Sequence, residues 1–245
     1  MPAGTSQAKA KTLGVLAFDV DGVLALREEE IPLSNVKPIE SFIGLDRIKV
    51  ALITGQQIEK QRPRLSAILR PGLIIYANES TQKYFVAEGG ELKEDLAYRK
   101  GFKDEDQKKQ VKAVIESVIK YKKRSPKTPE GIRRVLLNEK LVIEDRVTQF
   151  AFKYNLDHLQ REYLAEQIRE KLRKEGLANL QVRVSGKSTI SVYRSGISKA
   201  TAIIDLIETL DIYPEEIIYF GDEFYPEGND RPVISISGLT NIRPG

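Results

Sequence analysis

The chain has no cysteine, no tryptophan, one histidine and one methionine among its 245 residues. Without thiols there can be neither disulfides nor thiolate metal sites, and His158 is the lone imidazole. Any metal must therefore be held mainly by oxygen ligands, which favours magnesium, manganese or calcium over zinc. Long apolar runs are also missing: nothing approaches the roughly 18 residues that a membrane span requires, so no membrane partner is expected. The opening MPAGTSQAKAK is small and polar and lacks the apolar stretch of a secretion signal. Residues 1–11 read as a disordered tail, and the chain as cytoplasmic.

What is present fits a globular protein, with 41% apolar and 30% charged residues and enough length for one large domain or two modest ones. The net charge of +4 is unevenly spread, because 13 basic and 5 acidic residues fall between Arg99 and Arg134. Such a surplus could mark a nucleic-acid surface or attract small anions. The simpler reading is a solvated helix face. Few aromatics accompany it, Phe102 and Tyr121 being the nearest. Stacking platforms for single strands are thus lacking, and a nucleic-acid-binding module is only a distant alternative.

The apolar run LGVLAF, and then IKVALIT and PGLIIYA, have the continuous hydrophobicity of strands buried on both faces of a parallel sheet, with helix-compatible segments between them. A fourth run, EEIIYF, follows the helical SKATAIIDLIETL, where Ser198 suits an N-cap. This alternation predicts a doubly wound, Rossmann-like α/β core. Between the two stretches the texture changes. DEDQKKQVKAVIESVIKYKKR spaces Val111, Val114, Ile115, Val118 and Ile119 as one helical face after Asp104, and a second helix is expected to start at Asp157 with Gln160 closing a capping box and to end at Gly176. YFVAEG, KLVIEDRVTQFAF and LQVRVSGKSTISVY read as strands around these helices, the last with a Ser-Gly hairpin turn. The expected organisation is a core of residues 12–84 and 188–245 with an inserted α+β cap domain of residues 85–187. His158 reads as a helix-surface residue.

In an open parallel sheet, ligands sit beyond the carboxyl ends of the strands. FDVDGVL puts Asp19 and Asp21 at such an end, two apart and therefore facing the same way. Three further features gather at the same edge. The second strand ends in Thr54 and Gly55, Lys199 opens the helix leading into the last major strand, and that strand ends in GDEFYPEGND with Asp222, Asn229 and Asp230.

These residues resemble the haloacid dehalogenase superfamily of phosphotransferases: DVDGV is similar to its first motif, ITG to its second, Lys199 in GISKATAI to its third and GDEFYPEGND to its fourth, in that order. The long insert between the second and third motifs resembles the large-cap branch, which contains sugar phosphatases and phosphomannomutases. The resemblance implies a Mg2+-dependent phosphatase acting on a sugar phosphate or similar small phosphorylated metabolite. A phosphomannomutase-like phosphotransferase is the alternative, and a homodimer formed through the cap is a further expectation. Asp19 would take the phosphoryl group as a nucleophile, and Asp21 would serve as acid and then base. Thr54 would hydrogen-bond the phosphoryl oxygens, with Gly55 on the substrate side, while Lys199 adds positive charge. The metal is expected at Asp19, Asp222 and Asp21, the last through its carbonyl, with Asp230 supporting the metal or orienting Lys199. In the cap, Arg146 and Gln149 are candidate substrate contacts, with Lys153 and Lys187 behind them. Two departures stand out: Val23 replaces the usual threonine, and Gln56 follows TG where arginine is common, so a positive charge is missing there.

Overall fold

The computed structural model describes residues 14–185, 188–226 and 228–244. The expected tail of residues 1–11, Lys187 and part of the Ser-Gly turn lie outside them. The chain divides into two compact units, one running to Ala97 and resuming at Ser198, the other Tyr98–Ile197.

The first unit is built on a seven-stranded sheet. Its order is β11 (Thr240–Ile242), β10 (Ile217–Phe220), β1 (Gly14–Phe18), β2 (Ile48–Ile53), β3 (Leu73–Ala77), β4 (Gln82–Val86) and β5 (Leu92–Glu94). Pairing is parallel from β11 to β3 and antiparallel from β3 to β5. The four apolar runs read from the sequence are β1, β2, β3 and β10. YFVAEG, read with the insert, instead contributes β4 to this sheet, and the compact units change over at 97/98 and 197/198 rather than at 84/85 and 187/188. The reason is local: β4 folds back on β3 through a short turn, so it adds to the existing sheet before the chain departs. α1 (Leu33–Ile43), α2 (Ile58–Leu65) and α6 (Lys199–Leu210) complete the unit. Val36 and Ile39 of α1 and Ile58 and Leu65 of α2 join Leu52 and Ile75 of the sheet in one buried cluster. Strand order reverses at β1, whose successor lies on one side and β10 on the other.

The second unit contains α3 (Glu105–Arg124), α4 (Glu130–Asn138), α5 (His158–Lys174) and an antiparallel sheet in the order β6 (Ile143–Asp145), β7 (Phe150–Lys153), β9 (Thr189–Arg194), β8 (Leu180–Ser185). Asp104 caps α3 by accepting from the Gln107 N–H (2.8 Å), and the predicted apolar face of α3 is buried. The Asp157–Gln160 capping box opens α5, where His158 is exposed. Lys109, Lys112, Lys120 and Arg124 are solvent-exposed on α3, the solvated face expected of the basic segment. The helix α4 was not anticipated, because only Ile132 and Leu136 are buried in a polar, proline-flanked stretch. KLVIEDRVTQFAF is two strands rather than one. The charged EDR interrupts its alternation, and a loop over 146–149 closes with the Arg146 N–H donating to the Gln149 carbonyl (2.9 Å) and Val147 at φ +65°. Among the described residues no helix is long and apolar enough to cross a membrane.

Candidate active site

Three parallel strands end side by side. Phe18 of β1 is level with Phe220 of β10 on one side and Leu52 of β2 on the other, so Asp19, Asp222 and Thr54 leave the sheet from one edge. The Asp19 N–H extends the ladder to the Phe220 carbonyl (2.8 Å), and the two phenyl rings stack with centroids 4.6 Å apart. Beyond Asp19 the chain turns sharply, with the Leu24 and Ala25 N–H groups donating to the Val20 carbonyl. Gly22 sits in this turn at φ +89°, and a Cβ there would fall 2.1 Å from Asp222 Oδ2. Only glycine serves both the dihedral and the close approach of that carboxylate.

Lys199, fully buried at the first turn of α6, is placed 2.6 Å from Asp19 Oδ2 and 2.7 Å from Asp230 Oδ1. Farther along the same helix, Asp205 accepts from the Tyr76 hydroxyl (2.5 Å) and Lys83 (2.7 Å), tying α6 to β3 and β4. Asp230 is saturated. Its Oδ1 also accepts from the Tyr219 hydroxyl (2.5 Å), and its Oδ2 takes the backbone N–H groups of Asp222 (3.0 Å) and Glu223 (2.8 Å). Asp222 differs: its Oδ1 is buried and has no hydrogen-bond partner among the described residues.

The charges follow from these contacts. Burial pushes the Asp19 carboxyl up to about 7; Lys199 opposes this and the Asp230 charge reinforces it. Burial likewise works against charge on Asp230, but Lys199, Tyr219 and the Glu223 N–H outweigh it and hold that carboxyl below the ordinary range. Asp222 is raised by burial and then by the neighbouring Glu223 and Asp230 charges. Lys199 pays for burial too, yet its two carboxylates keep it above the usual lysine value. One ammonium thus faces three carboxylates.

Ligand atoms of Asp19, Asp222 and Asp230 lie within 4.8 Å of one another, a group able to hold a cation. The donor set fits a hard divalent ion: it is all oxygen, carries surplus negative charge, and includes the orphaned Asp222 Oδ1. Asp19 and Asp222 have coordinating capacity left, whereas Asp230 has spent its oxygens on Lys199, Tyr219 and the loop backbone. Between the two roles expected for Asp230, the geometry favours orienting Lys199.

Asp21 is not in that cluster. Its Oδ1 meets Arg64 Nη1 (2.7 Å) and its Oδ2 accepts from Gln56 Nε2 (2.7 Å). Thr54 is buried, and its hydroxyl oxygen accepts from the Gln56 N–H (3.2 Å) and from Gln61 Nε2 (3.4 Å). Accepting twice, the hydroxyl retains its own proton to donate. Gly55 allows Glu79 to pack on it, since a Cβ there would stand 2.9 Å from Glu79 Oε1. Arg146 and Gln149 belong to the second unit, where both are buried rather than exposed strand residues, and Arg146 bonds Glu144 through Nε (3.0 Å) and Nη2 (2.7 Å). Lys153 ends β7, with Nζ 3.9 Å from Glu144.

Four features escaped the sequence reading. Arg64 restores a positive charge near the position where Gln56 had removed one. Gln61 and Tyr219 support Thr54 and Asp230. The fourth is the turn between β3 and β4, where Asn78, Glu79 and Ser80 all have φ between +57° and +63°, a left-handed run costing about 1–2 kcal/mol per residue. Asn78 N–H donates to the Gln56 carbonyl (2.7 Å), so this turn supports the backbone beside Thr54.

Residues 16–240 match the haloacid dehalogenase-like hydrolase family. The chain belongs to it. The four motif regions lie within the matched span. No curated protein matches the sequence. Among solved structures, the N-terminally truncated, IMP-bound IMP-nucleotidase of Plasmodium falciparum is similar with a TM-score of 0.70 and 16% identity, over 95% of this chain and 64% of that one. A haloacid dehalogenase-like hydrolase from Bacteroides thetaiotaomicron gives 0.63 and 17%, over 93% and 86%. The likeness is one of fold, and the present chain spans just under two thirds of the nucleotidase.

Proposed function

We propose that this hydrolase is a magnesium-dependent phosphatase of small phosphorylated metabolites, working through a phosphoryl group carried on Asp19. The observation that carries the reading is the position of Asp19: buried at a strand end, 2.6 Å from Lys199 and grouped with Asp222 and Asp230. A divalent cation held by Asp19 and Asp222 would offset the charge of the phosphoryl group and of the carboxylate that attacks it.

The chain's own residues supply the remainder. Asp19 attacks phosphorus as the ester P–O bond breaks, dividing one difficult displacement into two. Asp21 gives its proton to the departing alcohol oxygen and, in the second half, takes one from the water that releases phosphate from Asp19. The Thr54 hydroxyl donates to a phosphoryl oxygen where charge gathers, and Lys199 lends a fixed positive charge held in place by Asp230. The preferred substrate class is a sugar phosphate. The nucleotidase similarity adds nucleoside monophosphates to the compounds worth testing.

The test is phosphate release from a panel of sugar phosphates, phosphoglycerates and nucleoside monophosphates, with magnesium and with chelator, beside Asp19→Asn. Magnesium-dependent release that disappears in the variant supports the reading. Isomerisation of a hexose phosphate on addition of a sugar bisphosphate, without free phosphate, would replace it with a mutase.

A further inference from the structure

Arg64, on α2, is only 9% exposed and spends its guanidinium on four acceptors. Nη1 donates to Asp21 Oδ1 (2.7 Å) and Gln61 Oε1 (3.0 Å), Nη2 to the Leu26 carbonyl (2.9 Å), and Nε to the Glu29 carbonyl (2.6 Å). Two of these carbonyls belong to the loop that joins β1 to α1, the same loop that contains Asp21. Gln56 holds the other carboxyl oxygen of Asp21 (2.7 Å), and Gln61 links Arg64 onward to Thr54 (3.4 Å). A carboxyl gripped at both oxygens cannot rotate about its Cβ–Cγ bond without breaking a hydrogen bond. Each oxygen still keeps a lone pair on which a proton can travel.

We propose that Arg64 is a positioning residue for Asp21: together with Gln56 it fixes the carboxyl and the loop around it in the orientation from which a proton reaches the leaving oxygen. The inference rests on the phosphatase reading above. In the step concerned, the ester P–O bond breaks, its electron pair stays on the alcohol oxygen, Asp21 gives that oxygen a proton, and a bond forms between phosphorus and Asp19. Asp21 recovers the proton from the attacking water as phosphate leaves Asp19. A planar fork matches this task better than a lysine, because one rigid group must reach a carboxylate and two loop carbonyls at once.

The assay compares kcat/KM, which covers the steps up to departure of the alcohol, for two esters with magnesium. p-Nitrophenyl phosphate has a leaving group that needs no proton, whereas glycerol phosphate or another alkyl phosphate does. Arg64→Gln is expected to lose about 10–100-fold on the alkyl ester, the scale of a misplaced general acid, and at least about tenfold less on the aryl ester. Arg64→Lys should fall between Arg64→Gln and wild type. Adding Arg64→Gln to Asp21→Asn should lower alkyl turnover no further than Asp21→Asn alone. Equal losses on both esters, or additive losses in the double variant, would overturn the assignment. Should Arg64→Gln fail to fold, Gln56→Leu and Arg64→Lys carry the same comparison. A wild-type protein inactive on every ester removes the phosphatase reading together with the inference, while active wild type with equal losses removes the inference alone.

Discussion

Asp230 and Asp222 stand eight residues apart in one loop, yet replacement by asparagine should have opposite consequences. Asp230 accepts four hydrogen bonds, two at each oxygen. In Asp230→Asn, the amide nitrogen must face either Lys199 and Tyr219 or the two backbone N–H groups, so two charge-assisted bonds are lost whichever way it turns. At about 1.5–3 kcal/mol for a hydrogen bond to a charged group, the loss is about 3–6 kcal/mol. In a chain of this size each kcal/mol is worth about 2–4 °C, which places the melting temperature about 6–24 °C below wild type. Asp222→Asn removes a carboxylate repelled by Glu223 and Asp230 and leaves a partnerless oxygen no worse off. It should melt at or above the wild-type temperature in chelator and lose the stabilisation that added magnesium gives wild type. Differential scanning fluorimetry of the three proteins, with EDTA and with magnesium, reads both effects. If Asp230→Asn melts within about 2 °C of wild type in EDTA, the reading of Asp230 as the residue that ties Lys199 and Tyr219 to the loop backbone is wrong.

Two further outcomes follow from the same contacts. Gly22→Ala would force a Cβ into Asp222 Oδ2 at a backbone angle alanine resists, a strain of about 1–3 kcal/mol, so the magnesium concentration for half-maximal activity should rise about tenfold; an unchanged requirement would separate Asp222 from the metal. Tyr154 is raised to about 12 by burial and then by the Glu139 charge, and its hydroxyl has no hydrogen-bond partner among the described residues. Because the folded form holds this proton more tightly, its contribution to stability is complete below about pH 10 and fades as pH climbs toward 12. Tyr154→Phe should lose one late tyrosinate absorbance step, near pH 12, and melt no lower than wild type at neutral pH; a lower melting temperature would mean the hydroxyl is bonded.

What could be read from the chain was whatever follows a local rule. Continuous apolar runs gave four strands of the core sheet, heptad-like spacing gave α3, and the Asp157–Gln160 pair gave the start of α5 to the residue. The carboxyl-end rule also brought Asp19, Thr54 and Asp222 to one edge, whereas period-two geometry did not place Asp21 with Asp19: the strand stops at Phe18, the chain turns, and Asp21 meets Arg64 and Gln56 instead. Partners chosen across the fold were not legible. Arg64 is 43 residues from Asp21, and nothing in RPRL announces which carboxylate it meets. The contrast between a saturated Asp230 and an orphaned Asp222 depends on where Tyr219 and two backbone N–H groups point, which composition does not encode. YFVAEG joins the core sheet rather than the insert for a related reason: an apolar run specifies burial, while the turn at Asn78–Ser80, built on three left-handed residues that are not glycine, decides which sheet it joins.

The central claim is that Asp19 bonds covalently to phosphorus. Acid quenching of the protein during turnover with magnesium, in wild type and in Asp21→Asn to slow release, followed by peptide mass spectrometry, tests it directly. The account predicts a phosphoryl group on the peptide containing Asp19, absent from Asp19→Asn and from chelated samples. Steady phosphate release by Asp19→Asn at the wild-type rate, with no phosphorylated peptide in any sample, would contradict it.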